Sequence, residues 1–312
     1  MLAHMVAADH AAGAAYDGQA RSLAPRSGTA TGLGIVVVHH TAPADVLDDA
    51  MRRVRDAAPR AAVVLVATGA RPPTPGEGWP RGLQVRRAAN RSYAHAVNIG
   101  LAGLTGSRFL ALMNDDVLVR PSTFTDMIAA LRSAPGAGLA GPVALDRSGR
   151  PQDLGIPYRL AYARARAGSA ATNVAWLSGC LIVMTREAYC ATGGFDETFR
   201  FTNEDIDLCL RARRLGYGSL LVPTQVVHLG GSSTPAHPAF HVEGRRGGYL
   251  VTARHLPRTL APLHRAYLVL EGTVGAALSP TANRRRAHRQ VAAMAAEASW
   301  DTAPFGPSLD DR

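Results

Sequence analysis

From Leu33 onward, short β-branched runs alternate with stretches of helical periodicity, and that alternation restricts the chain to a mostly parallel sheet with crossover helices. "LGIVVVHH" reads as a strand, and "ADVLDDAMRRVRDA" places Leu47, Met51 and Val54 at i, i+4, i+7, with Pro43 at an early helical position. "AAVVLVA" is a second strand ending near Gly69, "RPPTPGEGWPRG" a loop and "LQVRR" a short third strand. A helix through "SYAHAVNIGLAGL" leads to a fourth strand, "FLALMNDDVLVRP". The following helix, "PSTFTDMIAALRS", is capped by Ser122 with Phe124, Met127, Ile128 and Leu131 on one face. A β-α-β-α-β-α-β succession followed by an acid-rich turn has the organisation of a nucleotide-binding half, whose ligands sit outside the carboxyl ends of the strands.

The second half is more mixed. It has strands at "GLAGPVAL", "AWLSGCLIVMT" and "SLLVP", and helices at "REAYCATG" and "NEDIDLCLRARRLG", the latter closed by Gly216. "LGGSSTPAHPAFHVEG" reads as a mobile loop, and two basic helical segments complete the chain. The expected division is a low-complexity leader over 1–32, an α/β domain over 33–245 with halves 33–120 and 121–245, and a helical extension with a tail over 246–312.

Composition removes several classes. The formal charge is +10 over 312 residues, yet no lysine occurs, so every basic side chain other than histidine is arginine. Walker A loops and Schiff-base enzymes both need a lysine amine and drop out. Net positive charge admits nucleic acid, an anionic membrane surface or a phosphorylated substrate, but no nucleic-acid-binding module is recognisable. Cys180, Cys190 and Cys209 lack the spacing of a disulfide framework or zinc site and read as buried thiols in a reducing, cytoplasmic compartment. The first 32 residues lack a signal-peptide pattern, and no window reaches the roughly 18 apolar residues of a spanning helix.

Three constellations carry chemistry. Asn114, Asp115 and Asp116 interrupt an apolar run: they form a surface turn, or they hold a hard divalent cation at a strand's carboxyl end. Glu204, Asp205 and Asp207 open a helix. Thr202 and Asp205 have capping-box spacing, and the alternative is a general base. His228 ends an apolar run before two glycines, as a structural imidazole or as a ligand beside carboxylates.

These signals occur in one order with others. "GIVVVHH", "NRSYAHAVNIG", "LMNDDVLV", "SGCLIVMTREAYCATGGFDETF", "NEDIDLCLR" and "VPTQVVHLGGSS" together resemble the family 2 glycosyltransferases of GT-A fold, in particular their bacterial rhamnosyl- and galactofuranosyl-transferase-like branch. The resemblance spans about Gly34 to Ser233. It implies a single inverting displacement from a nucleoside-diphosphate sugar, assisted by Mn2+ or Mg2+. Asp116 and His228 would be metal ligands, Asp115 would contact the metal or the nucleotide sugar, and Asn114 stands where relatives carry the first acid of a DxD motif. Asp205 would be the base and Glu204 its support. His39, Thr41, Ala67, Asn90, Asn98 and Gly179 would contact the donor, and Arg245 and Arg246 its diphosphate.

The chain departs from the family where an Asp-Asn-Gly-Ser run reads the base: Ala67 to Ala70 is "ATGA". His39, His40 and Thr41 replace Thr-Tyr-Asn, and Ser92 replaces a glycine. A non-catalytic sugar-nucleotide-binding relative is the alternative those losses suggest. "RHLPRTLAPLHRAYLVLEGTVGAAL" and "ANRRRAHRQVAAMAAEASW" read either as helices packed on the core or at a homodimer contact, or as basic amphipathic segments on an anionic membrane, which would suit a lipid-linked acceptor. A glycan or soluble small-molecule acceptor would need no such contact.

Overall fold

The apolar runs form strands covered on both faces. The computed structural model describes residues 32–152, 163, 170–230 and 237–310. Apart from Gly32, the expected leader lies outside the described residues, as do 231–236 of the glycine-rich loop. The first half contains β1 (Leu33–His39), α1 (Ala44–Ala57), β2 (Ala62–Ala67), β3 (Gln84–Arg87), α2 (Tyr93–Leu101), β4 (Phe109–Asn114), β5 (Val117–Leu118) and α3 (Thr123–Ser133). β6 (Ala137–Leu145), β7 (Thr172–Val174), β8 (Leu181–Thr185), α4 (Arg186–Thr192), α5 (Glu204–Arg214) and β9 (Gly218–His228) follow. Three helices close the described chain: α6 (Pro238–His255), α7 (Leu260–Leu278) and α8 (Ala282–Glu297).

One sheet runs β3-β2-β1-β4-β8-β6-β9-β5, with β7 paired to β9. β1, β2, β3, β4, β6 and β9 share a direction, and β5, β7 and β8 oppose it. Alternate side chains serve two cores. Ile35, Val37, Leu65 and Met113 pack with α1 and α3, and Val36, Val38, Val64 and Leu112 pack with α2 and α5. The predicted helix faces are the buried ones: Leu47, Met51 and Val54 on α1, and Phe124, Met127, Ile128 and Leu131 on α3.

Several expectations are corrected. The stretch read as one fourth strand breaks at Asp115, and Val117–Leu118 pairs instead with β9. Only Leu181–Thr185 of "AWLSGCLIVMT" is strand, because Ser178 and Gly179 turn toward a cavity. "SLLVP" continues to His228, with a register shift opposite Pro142/Val143 accommodating Pro223. α6 begins inside the segment read as loop, so three C-terminal helices are present rather than two, and the division at 245 falls within α6. Ser122 occupies the N-cap position of α3 without a side-chain bond. Cys180 and Cys209 are buried but Cys190 is exposed. No helix among the described residues is long and apolar enough to cross a membrane.

Helix α2 approaches the sheet through Gly100. A Cβ there would stand 2.4 Å from Val36 Cγ1, 2.7 Å from its Cγ2 and 3.1 Å from its Cβ, so no valine rotamer relieves the clash. Gly100→Ala gains up to about 1 kcal/mol of helix propensity but overpacks a full core at about 1–3 kcal/mol. Net destabilisation is therefore expected, read as a lower urea midpoint with an unchanged m-value; a midpoint equal to or above wild type would contradict this packing.

Candidate active site

The strand order reverses between β1 and β4, so a crevice opens at their carboxyl ends. The register Val38↔Asn114 beside His39↔Ala67 brings three predicted site segments to that edge. A cavity of about 290 Å³ lies there, reached by Asn114, Asp115 and Asp116 from β4, His228 from β9, Gly179 before β8, and Glu204 and Asp205 from α5.

One wall is a carboxylate–imidazole corner. Asp115 and Asp116 are 3% and 2% exposed, and the pairing Val117↔His228 brings β9's last residue beside them. His228 Nε2 lies 3.3 Å from Asp116 Oδ1, while Gly230 N–H donates to Asp116 Oδ2 at 3.1 Å. His228 Nδ1 faces Gln152 Oε1 at 2.9 Å. That bond has Nδ1 as the donor and leaves Nε2 between Asp116 Oδ1 and Asn114 Nδ2, which lies 3.4 Å away. An imidazole nitrogen beside a buried carboxylate is an arrangement that a divalent cation between them would fit, and the O/N donor set suits Mn2+ or Mg2+. Asp115 Oδ2 is held 2.6 Å from His39 Nδ1.

The opposite wall carries Glu204 and Asp205. Thr202 and Asn203 precede them with φ of 65° and 71°, two consecutive left-handed residues, which is costly for a β-branched threonine. Asn203 Nδ2 secures the turn by donating to Thr202 Oγ1 at 3.2 Å and to Gly244 O at 3.3 Å. No capping box forms. Asp205 instead accepts from Gly179 N–H at 2.7 Å and Ile206 N–H at 2.8 Å. A Cβ on Gly179 would lie 3.2 Å from Asp205 Oδ2, so glycine permits this approach. Asp207 faces elsewhere, paired to Arg211 at 2.7 Å and His255 at 2.8 Å.

Four carboxylates line the cavity and no arginine does, among the described residues. Burial, then the charge of Asp205, pushes Glu204 up to about 8. Burial raises Asp205 too, against the two amide donors that favour its ionised form. Burial thus favours a proton on Glu204 near neutral pH, while the two amides favour the charged form of Asp205. Glu204 Oε2 is buried with no hydrogen-bond partner among the described residues. Cys180 also lines the cavity, but burial pushes its thiol up to about 12, so it is no nucleophile at neutral pH.

Other expected contacts are displaced. Arg246 is 2% exposed and bound to Glu243 at 2.9 Å and Trp300 O at 2.7 Å, and Arg245 grips Glu271 with bonds of 2.6 to 2.9 Å; neither lines the cavity. Asn98 ties α2 to the turn before α5, donating to Phe195 O and accepting from Phe195 N–H. Thr41 is exposed outside the cavity, His39 stands behind Asp115, and Ala67 is buried in β2 while its neighbour Thr68 reaches the lining. Asn90 does line the cavity.

Reading the sequence missed His40, Tyr93, Asn203 and Leu309 as lining residues. Tyr93 OH donates to Gly179 O at 3.1 Å, supporting the loop that holds Asp205. Leu309 arrives from the C-terminal tail, bonds Asn90 O through its N–H at 2.6 Å and packs in a cluster with Phe240 and Phe305. Only the asparagine before Glu204 carried a local signal, since asparagine tolerates the left-handed region.

Residues 35–247 match the model of the family described as glycosyltransferase like family 2. An N-acetylglucosaminyl-diphospho-decaprenol L-rhamnosyltransferase of Mycobacterium tuberculosis is 30% identical over 264 residues, covering 72% of this chain and 86% of that protein. Among solved structures, the mannosyltransferase PcManGT from Pyrobaculum calidifontis, in complex with GDP-Man and Mn2+, aligns over 86% of this chain and 75% of its own with TM-score 0.51 and 18% identity. S. aureus TarS aligns over 82% of this chain and 47% of its own, with TM-score 0.54 and 14% identity. These likenesses establish the architecture, and the sequence matches establish the kinship: the chain belongs to glycosyltransferase-like family 2 and is a glycosyltransferase of GT-A fold.

Proposed function

We propose that this enzyme is a metal-dependent inverting glycosyltransferase, moving a sugar from a nucleoside-diphosphate donor to a hydroxyl of a lipid-linked acceptor at the cytoplasmic face of a membrane. The observation that carries this reading is the pairing of two acidic walls in one cavity, a carboxylate–imidazole corner and a Glu204–Asp205 pair in which burial and the neighbouring charge push Glu204 up to about 8. The rhamnosyltransferase relative supports the acceptor class, and solved neighbours bound to Mn2+ support the metal.

Asp116 and His228 would hold the cation, with Asp115 reaching the metal or the donor. When bound, it supplies positive charge to the diphosphate as that group leaves. Asp205, held as a carboxylate by two amide donors, takes the proton of the acceptor hydroxyl. The acceptor oxygen then forms its bond to the anomeric carbon as the bond from that carbon to the diphosphate oxygen breaks, inverting the centre. Protonated Glu204 donates a hydrogen bond to orient the acceptor. Thr68, within the departing Ala67–Ala70 run, and His40 both line the cavity with side chains 3.2 Å apart, and would offer the donor base polar contacts in place of that acid.

Helix α7 supports the membrane contact. Leu263, Tyr267, Leu270, Val274 and Leu278 stand exposed along it at helical spacing, and Arg284, Arg286 and Arg289 are exposed on α8.

Asp205→Asn is expected to lower kcat by about 10²–10⁴-fold while leaving donor affinity unchanged; wild-type-like transfer would remove Asp205 as the base. Asp116→Ala should abolish metal-dependent donor binding, measured by calorimetry with nucleotide sugars and Mn2+. Because folding raises Glu204 from 4.5 to about 8, the folded state holds that proton more tightly, and the stability this confers falls as pH rises through that window. The metal-free enzyme should lose melting temperature between about pH 4.5 and 8, and Glu204→Gln should flatten that slope. Leu263→Glu with Leu270→Glu should abolish sedimentation with anionic vesicles; loss of a solution dimer instead would assign the α7 face to self-association.

A further inference from the structure

Behind the cavity, α6, α7 and α8 enclose a groove lined by His237, His241, Arg245, Arg284 and His288, sharing Phe201, Thr202 and Phe240 with the cavity. Within this three-helix layer, His241, Glu271 and His288 each offer a ligand atom, all within 4.8 Å of one another. The rings of His241 and His288 meet edge to face, with centroids 4.8 Å apart. His241 Nε2 and His288 Nδ1 are both buried without a hydrogen-bond partner among the described residues. Two orphaned imidazole nitrogens side by side are uncommon in a folded interior, where buried polar atoms are nearly always satisfied.

We infer that His241, Glu271 and His288 form a zinc-type metal site joining the three C-terminal helices, separate from the Asp116–His228 corner. Two imidazoles and one carboxylate are a donor set for Zn2+, which is tetrahedral and takes a solvent ligand where the protein supplies three. His241 and His288 both line the groove, so solvent could reach an ion held there. Each ligand comes from a different helix, so the ion would clamp α6, whose Phe240 forms part of the cavity wall. Arg245 is its built-in competitor. It occupies both Glu271 oxygens at 2.6 to 2.9 Å, but its side chain is 41% exposed and free to swing into the groove when the carboxylate turns to the metal.

Co2+ titration of the full chain in an Asp116→Ala background, followed by visible absorption, isolates this site from the catalytic corner. One equivalent is expected to give the intense bands of four-coordinate Co2+, displaced by Zn2+, with a matching rise in melting temperature. His241→Gln and His288→Gln should each weaken binding by about ten-fold or more, and Arg245→Gln should tighten it. If Arg245→Gln, folded by circular dichroism, takes up no stoichiometric Co2+, or if binding is indifferent to both histidine variants, the site does not exist. Both results are independent of glycosyl transfer.

Discussion

The structure is organised around a concentration of buried negative charge. Asp115, Asp116, Glu204 and Asp205 meet at the carboxyl edge of one sheet, and no arginine lines that cavity among the described residues. Buried carboxylates are costly unless something compensates them, and each pair here is compensated differently. Asp115 and Asp116 face His39 and His228. Burial and the charge of Asp205 push Glu204 up to about 8, and Asp205 draws on the amides of Gly179 and Ile206. One pair is thus suited to a cation and the other to a proton, a division of labour that two acid pairs in like surroundings would lack.

Much of the second half serves to hold that arrangement. The left-handed turn at Thr202–Asn203 aims α5's first residues at Gly179, and α6 anchors the turn through Gly244. Below it lies the buried Arg246–Glu243 pair, which also binds Thr198 O, Trp300 O and the Arg200 N–H. Breaking such a pair leaves an uncompensated interior charge, so its cost exceeds that of any one hydrogen bond in it. Helix α6 is therefore tied to the turn that carries Glu204 and Asp205.

How much of this was legible in the sequence differs by element. The β1–α1–β2 and β4–α3 segments were readable because each apolar period commits to one partner surface, and the observed buried faces are the predicted ones. Asp116, Asp205, Glu204 and His228 were readable through motif order, and they do share one cavity. Arg245 and Arg246 misled, since a charge run does not reveal whether its partners lie inside the protein; here Glu271 and Glu243 neutralise them. Asn98 misled in the same way: its amide is consumed by the backbone of Phe195.

By itself, then, the sequence determined the strand and helix succession, the acidic turns and their order, because hydrophobic period and local turn chemistry are short-range properties of the chain. Tertiary structure alone decided which carboxyl burial pushes up, which arginines are paired to carboxylates, and that Leu309 bonds Asn90 O beside the cavity. It also brought His241, Glu271 and His288 from three helices to one point. Those outcomes depend on burial and on distances between residues far apart along the chain. Neither quantity exists until the sheet, its helices and the tail have packed together.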